Sequence, residues 1–207
     1  MKTAILGAGE LKTAAEILKS GGLAAVPTET VYGLAANGLD PEAVEKLYEV
    51  KRRPPKKPIN LLVPDMSAVE ALCRELPREA YLLAERFWPG PLTMILKKAP
   101  LVPDIVTAGG DTVGVRCPDH PLTLELLRLC ALPLAAPSAN PHGMPSPKNL
   151  SSVLAYFDGR IECAVDGGDC SVGVESTIVD LSGVGWRILR QGGLPGEAIA
   201  NALKEGL

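Results

Sequence analysis

Apolar residues return every three to four positions over 10–20, where Leu11, Ala14, Ala15 and Leu18 fall on one face and the Gly21-Gly22 pair supplies a stop. The spacing predicts a helix there, followed by a strand over 23–26. A second helix is predicted over 41–50, with Asp40 as N-cap, Pro41 at the first helical position, and Ala43, Val44, Leu47 and Val50 as its apolar face. Short apolar runs at 59–63, 92–96, 113–117, 132–136, 161–165, 176–181 and 186–189 read as strands, and 67–72, 78–87, 121–130, 149–156 and 197–204 read as helices. Strand–helix alternation gives an α/β class, and the adjacent short strands near the C-terminus make the sheet mixed rather than purely parallel. The 19 prolines and 21 glycines are dispersed between elements rather than gathered into a linker, so residues 1–207 are expected to form a single domain.

Composition sharpens this picture. With 46% hydrophobic and 22% charged residues in 207, the chain is of a globular kind and long enough to bury a sizeable core. Aromatic residues are only 4%, so that core rests on Leu, Val, Ile and Ala. The N-terminal apolar run is cut at Gly7 and turns charged at Glu10, which fits neither a secretory signal nor a membrane span. Cys73, Cys117, Cys130, Cys163 and Cys170 are odd in number and never at a CxxC spacing, so they are read as reduced, mostly core, and cytoplasmic.

Charge is distributed unevenly. The net charge is −3, yet Lys51, Arg52, Arg53, Lys56 and Lys57 place five positive charges in the segment KRRPPKKP, leaving the remainder at −8. Prolines 54, 55 and 58 stiffen this loop, a geometry suited to a polyphosphate and equally compatible with a solvated loop. PTETVYGLAAN, residues 27–37, reads as a polar turn after the first strand, its threonines either facing a ligand or stabilising the turn. APSANPHGMPSP carries Ser138, Asn140 and Ser146 in a proline-fixed loop, and GVEST ends in Ser176 and Thr177 at a strand start. Arg116 closes a strand, where it clamps an anion bidentately or forms a surface salt bridge. Neither His120 nor His142 lies in a GxSxG elbow, which leaves a hydrolase triad poorly supported. GAGELK has Lys12 where a dinucleotide fingerprint needs its third glycine, no phosphate-binding GxxxxGK[ST] loop occurs, and no clustered Cys/His spacing offers a dedicated metal cage. Magnesium is expected only as an ion carried on substrate phosphates.

Taken together and in order, PTETVYGLAAN, KRRPPKKPINLLV, WPGPLTMIL, DTVGVRCPDHP, APSAN, GVESTIVD and ILRQGG resemble the YrdC-type threonylcarbamoyl-AMP synthases over nearly the whole chain. The resemblance implies a YrdC-like fold, a twisted mixed sheet flanked by helices with a concave basic cleft. It implies condensation of L-threonine, bicarbonate and ATP to threonylcarbamoyl-AMP and pyrophosphate, a nucleotidyltransferase reaction that feeds the tRNA threonylcarbamoyl-transfer machinery. By motif, Lys51 and Arg53 would be catalytic, with Lys51, Arg53 and Lys57 holding the ATP phosphates. Thr30, Arg116 and Ser176 would bind threonine, Arg116 through the carboxylate. Thr112, Ser138, Asn140, Ser146 and Arg190 would line the nucleotide side. Some relatives carry a histidine where this chain has Leu62, and a family asparagine is Lys57 here. The length resembles the short form without a further C-terminal domain.

The chemistry so implied needs no protein nucleophile, because a carbamate oxygen of N-carboxy-threonine attacks the α-phosphorus and pyrophosphate leaves; positioning carries the burden. Residues 51–57 are expected to form a mobile flap over the cavity. Two other classes compete. One is a double-stranded RNA or tRNA-binding module without catalysis, disfavoured by the −8 remainder and by the lack of aromatics in the basic loop. The other is a carbamoyl-transfer domain of the kind found in longer multidomain chains.

Overall fold

The structure, a computed structural model, describes residues 2–206. In chain order its elements are β1 (Ala4–Leu6), α1 (Leu11–Lys19), β2 (Ala24–Val26), β3 (Gly33–Asn37), α2 (Pro41–Lys51), β4 (Leu61–Leu62), α3 (Met66–Leu72), α4 (Arg78–Phe87) and β5 (Leu92–Lys97). They continue with α5 (Asp104–Thr107), β6 (Thr112–Arg116), α6 (Pro121–Cys130), β7 (Leu134–Ala135), α7 (Leu150–Phe157), β8 (Cys163–Val165), β9 (Thr177–Asp180), β10 (Arg187–Arg190) and α8 (Gly196–Gly206). Helix α2 starts where its signals place it: the Asp40 carboxylate accepts from the Glu42 and Ala43 amides, and Pro41 needs no partner for an amide it lacks.

The ten strands form one mixed sheet in the order β1-β8-β2-β3-β7-β4-β6-β5-β9-β10. The pairs β1/β8, β2/β8, β4/β6 and β5/β9 are parallel, whereas β2/β3, β3/β7, β4/β7, β5/β6 and β9/β10 are antiparallel. Alternation along each strand divides the interior into two cores. Ala25, Leu34, Leu61, Val115 and Ala135 face one, with Leu47 of α2, Leu83 of α4, Phe157 of α7 and Leu203 of α8. Val26, Ala35, Leu62 and Leu134 face the other, beneath Leu18 of α1 and Leu126 and Leu127 of α6. Burial on both faces explains why the strands read as apolar runs without alternation.

Several expectations are corrected. Residues 33–37 are a strand, β3, not part of a turn, and they are the hinge of the sheet's topology because β3 joins β2 to β7. The preceding strand is the second, since Ala4–Leu6 already pairs in parallel with β8. Helix α5 is a single short turn with no periodic signal to find. The predicted strands at 59–63 and 132–136 shrink to two residues each, because Pro58 and Pro64 flank the first and Pro133 interrupts the second. Cys73, Cys117, Cys130 and Cys163 are buried free thiols and Cys170 is half-buried. Among the described residues, no helix is long and apolar enough to cross a membrane. Replacing the α2 cap, Asp40→Ala, should cost about 1 kcal/mol and lower the melting temperature by about 2–4 °C in a calorimetric or circular-dichroism scan.

Candidate functional site

Helices α1 and α6 cover their sheet face only over the strands from β1 to β7; beyond Leu62 the same face carries polar side chains. The register sets this out. Leu62 lies opposite Arg116 and Ile95 opposite Gly114, so Arg116 and Thr93 stand on that face along with Leu62. Leu62 and Arg116 line a cavity of about 160 Å³ together with Thr28, Thr30, Arg53, Asn60, Ser138, Glu175, Ser176 and Arg190, while Thr93 lies buried behind Ser176. Segments as far apart along the chain as Thr28 and Arg190 thus meet at one place.

Arg116 is buried at the end of β6, and its placement is determined by partners on two loops. Its Nη2 donates to Glu29 Oε1 at 2.7 Å, and its Nε donates to the Gly90 carbonyl at 3.2 Å. Side-chain exposures of 9% and 7% make the Arg116–Glu29 pair an interior ion pair, not the surface salt bridge that the sequence left open. Glu29 also accepts from the Asp119 amide at 3.1 Å, and its own carbonyl accepts from the Val172 amide. Arg116 Nη1 has no partner among the described residues and is free for an anion.

The hydroxyls are arranged in pairs. Thr28 and Thr30 share a hydrogen bond at 2.9 Å, and Thr28 also donates to the Val31 carbonyl at 2.6 Å, so Thr28 stabilises the turn while both threonines line the cavity. Ser176 meets Thr93 at 2.7 Å and accepts from Arg190 Nη2 at 3.2 Å. Arg190 donates twice more to the Ser176 carbonyl. Gly192 makes this possible, because a Cβ there would overlap the Glu175 and Ser176 backbone. Burial lowers the pKa of Arg190 and of Arg53 without threatening their charge. Glu175 is held below the usual carboxylate range, chiefly by the hydrogen bond from Ser146 at 2.7 Å.

The basic segment does not enter as a unit. Lys51, the last residue of α2, is buried, and its ammonium donates to the backbone carbonyls of Ser138 and Asn140. Burial, with the Arg53 charge second, lowers its pKa to about 7. It is a strut under the serine loop and does not line the cavity. Arg53 does reach the cavity, with its guanidinium also donating to the Lys57 and Pro58 carbonyls. Lys57 is exposed and outside the cavity lining, its ammonium 3.4 Å from His142 Nε2. Arg52 adopts a left-handed conformation that caps α2 and turns away with Lys56 into solvent. The expected flap is therefore anchored at Lys51 and Arg53, and the cavity's cations are three arginines, only one of them from the lysine-rich run.

Of the other expected site residues, Thr112 lies at the far end of β6 from Arg116, roughly 13 Å away at about 3.3 Å per residue, and does not line the cavity. Asn140 lies outside the cavity lining: its Nδ2 donates to the Pro141 and Met144 carbonyls, and its Oδ1 is buried without a partner among the described residues. Ser146 acts one step removed, through Glu175. Thr30, Arg53, Arg116, Ser138, Ser176 and Arg190 are brought together. Sequence reasoning gave no role to Glu29, Thr93 or Asn60. The available signal was polarity inside apolar strands, Thr93 in LTMIL and Asn60 in INLLV.

A family model described as "Telomere recombination" and named for Sua5, YciO and YrdC matches residues 16–192. The chain belongs to the Sua5/YciO/YrdC family. It is 47% identical over 196 residues to a threonylcarbamoyl-AMP synthase of Pyrococcus abyssi, a match spanning 95% of this chain and 58% of that protein. It is 46% identical over 194 residues to the threonylcarbamoyl-AMP synthase of Bacillus subtilis, covering 92% of this chain and 55% of that one. Its fold superposes on P. abyssi Sua5 complexed with L-threonine with a TM-score of 0.95 at 45% identity, over 98% of this chain and 62% of that one. The chain thus spans little more than half the length of these relatives.

Two consequences are measurable. Because Lys51 holds its proton less tightly folded than unfolded, the unfolded chain binds the extra proton between about pH 7 and the ordinary lysine range, and stability rises with pH across that window. Urea midpoints should show wild type gaining about 1 kcal/mol from pH 7 to pH 8 relative to Lys51→Met, which lacks the titrating group. Removing the counter-charge in Glu29→Ala strands a buried guanidinium and should cost about 3–5 kcal/mol in the same assay, with Glu29→Gln costing less.

Proposed function

We propose that this chain is an L-threonylcarbamoyladenylate synthase that condenses L-threonine, bicarbonate and ATP to threonylcarbamoyl-AMP and pyrophosphate. The observation that carries this reading is the meeting of Arg53, Arg116 and Arg190 with the Thr30, Ser138 and Ser176 side chains in one cavity that no histidine lines. Such a site binds several anionic groups in register and offers no nucleophile–base pair, which suits a reaction whose nucleophile is a substrate carbamate. The relatives, named threonylcarbamoyl-AMP synthases, support the same reaction.

In this reading the free Nη1 edge of Arg116 takes the threonine carboxylate, and the Thr30 and Ser176 hydroxyls orient its polar groups. Arg53 faces the ATP phosphates, and Arg190 and Ser138 the nucleotide. The threonine amine attacks bicarbonate carbon with loss of water, and a carbamate oxygen then attacks the α-phosphorus as pyrophosphate departs. The Arg53 guanidinium, fixed beforehand by the Lys57 and Pro58 carbonyls, stabilises charge on the departing pyrophosphate without reorganising. A magnesium ion would travel on the ATP phosphates and neutralise part of their charge. Among the described residues no three His, Cys, Asp or Glu side chains cluster, and Glu175, the one carboxylate lining the cavity, is engaged by Ser146, so the ion's ligands would be phosphate oxygens.

The adenylate would pass to a tRNA threonylcarbamoyl-transfer machinery in the cytoplasm. Direct double-stranded RNA or tRNA binding is the weaker reading, because Lys51 and Arg53 are turned inward and only Arg52, Lys56 and Lys57 stay exposed for a phosphate backbone. Pyrophosphate release from ATP, measured with threonine and bicarbonate each withheld, should require both. Arg53→Ala and Arg116→Ala should each lose roughly 100-fold in kcat/KM. Turnover within twofold of wild type in either variant contradicts the site assignment, and release without threonine contradicts the reaction.

A further inference from the structure

We infer that Asn60 binds the carbamate group of N-carboxy-threonine through both ends of its side-chain amide, so that it selects the carbamoylated amino acid over free threonine. This rests on the synthase reading and deepens it.

Asn60 is the one polar side chain in the otherwise apolar run Ile59–Val63, whose other four members are buried. It is half-buried and lines the cavity, yet neither Oδ1 nor Nδ2 has a hydrogen-bond partner among the described residues. A carboxamide kept half out of water and left unpaired is costly unless something else fills its valences. Its position is nonetheless built. Its carbonyl accepts from the Ala136 amide at 3.0 Å, and the next residue, Leu61, pairs with both Val115 and Ala135. The side chain leans over β6 at Gly114, where any Cβ would overlap Oδ1. Glycine at that position leaves room for the amide and for nothing larger.

The register puts Asn60 level with Gly114, and Leu62 level with Arg116, on the same sheet face. The two levels are roughly 6–7 Å apart. An amino acid whose carboxylate sits on Arg116 therefore has Asn60 within reach of its nitrogen substituent. The other polar groups there differ in kind. The arginines only donate, Thr30 and Ser176 are paired with Thr28 and Thr93, and Glu175 is engaged by Ser146. Ser138 keeps its hydroxyl unused but carries donor and acceptor on one oxygen, so among the described lining residues it is Asn60 that offers an unused donor and an unused acceptor on two neighbouring atoms.

Free threonine presents an ammonium there, which donates and cannot accept. Once the ammonium has given one proton to solvent, the amine lone pair forms the N–C bond to bicarbonate, one amine proton leaves with the hydroxyl as water and one stays on nitrogen. The carbamate then presents an N–H donor beside a carboxylate oxygen, and Oδ1 and Nδ2 match both. Bicarbonate itself also carries a donor and an acceptor, so the test must separate the two.

N-carbamoyl-L-threonine is a stable probe with the same N–H and C=O pair. By calorimetry on the full chain, Asn60→Leu should bind it at least about tenfold more weakly than wild type, whereas free L-threonine should bind within threefold. Asn60→Asp, the same shape without the donor, should show the same split, and melting temperatures within about 2 °C of wild type establish that both variants fold. In turnover, both variants should need more bicarbonate for half-maximal pyrophosphate release at saturating threonine. Equal weakening for both ligands, or no weakening of the carbamoyl compound, overturns the inference. A bicarbonate effect with unchanged probe binding also overturns it, assigning Asn60 to bicarbonate instead. A wild-type chain that releases no pyrophosphate overturns the synthase reading itself, whereas an active wild type with unaffected variants overturns the role of Asn60 alone.

Discussion

A guanidinium cannot be buried without a counter-charge, and the Arg116–Glu29 pair meets that constraint at the centre of the molecule. Arg116 ends β6; Glu29 sits in the turn between β2 and β3; Gly90, which accepts from Arg116, belongs to the turn before β5. Asp119 and Val172 join through the Glu29 side chain and carbonyl. One ion pair therefore fixes the relative positions of four loops, and with them the hydroxyls of Thr30 and Ser176. Energetically such a pair contributes little beyond a well-packed apolar substitute, but breaking it is expensive, so it specifies geometry more than it adds stability.

Lys51 does comparable work on the opposite wall. The end of α2 carries its ammonium under the serine loop, where two carbonyls accept from it, and the His142 amide returns a bond to the Lys51 carbonyl. The helix and the proline-fixed loop are thus joined at the point where Arg53 turns toward the cavity. A cluster of five like charges separates into different roles because its residues differ in burial: two are drawn inward and three remain in solvent. Mutual repulsion favours that separation, since Arg53 itself contributes to lowering the Lys51 pKa.

The cavity walls are polar where the sheet is left bare. Helices α1 and α6 bury the face over β1 to β7, and beyond them the same face carries Thr93, Arg116 and, just ahead of β4, Asn60. These side chains interrupt apolar strands, a conflict between local pattern and packing that stable folds keep mainly where a ligand is bound. Most of the hydroxyls and charges are satisfied by one another, which preorganises the site, and the few valences left open mark where substrate atoms belong.

The helices, most strands, the α/β class and the mixed sheet are decided locally, by apolar spacing, by the Asp40–Pro41 cap and by glycine and proline stops. The order of motifs also identifies the family, because each is a short contiguous segment. Residues 33–37 escaped this reading, since a buried strand preceded by polar turn residues has no period of two to detect. Spacing likewise could not show that Lys51 is a strut while Arg53, two residues on, is a cavity residue: helix phase and burial separate them. Thr112 and Arg116 share one strand, and only the position of the cavity at its C-terminal end tells which of them belongs to the site. The partnership of Glu29 with Arg116 spans 87 residues and comes from long-range strand pairing, which no local pattern encodes. Chain-local chemistry settled what the pieces are, and the sheet register decided which side chains meet.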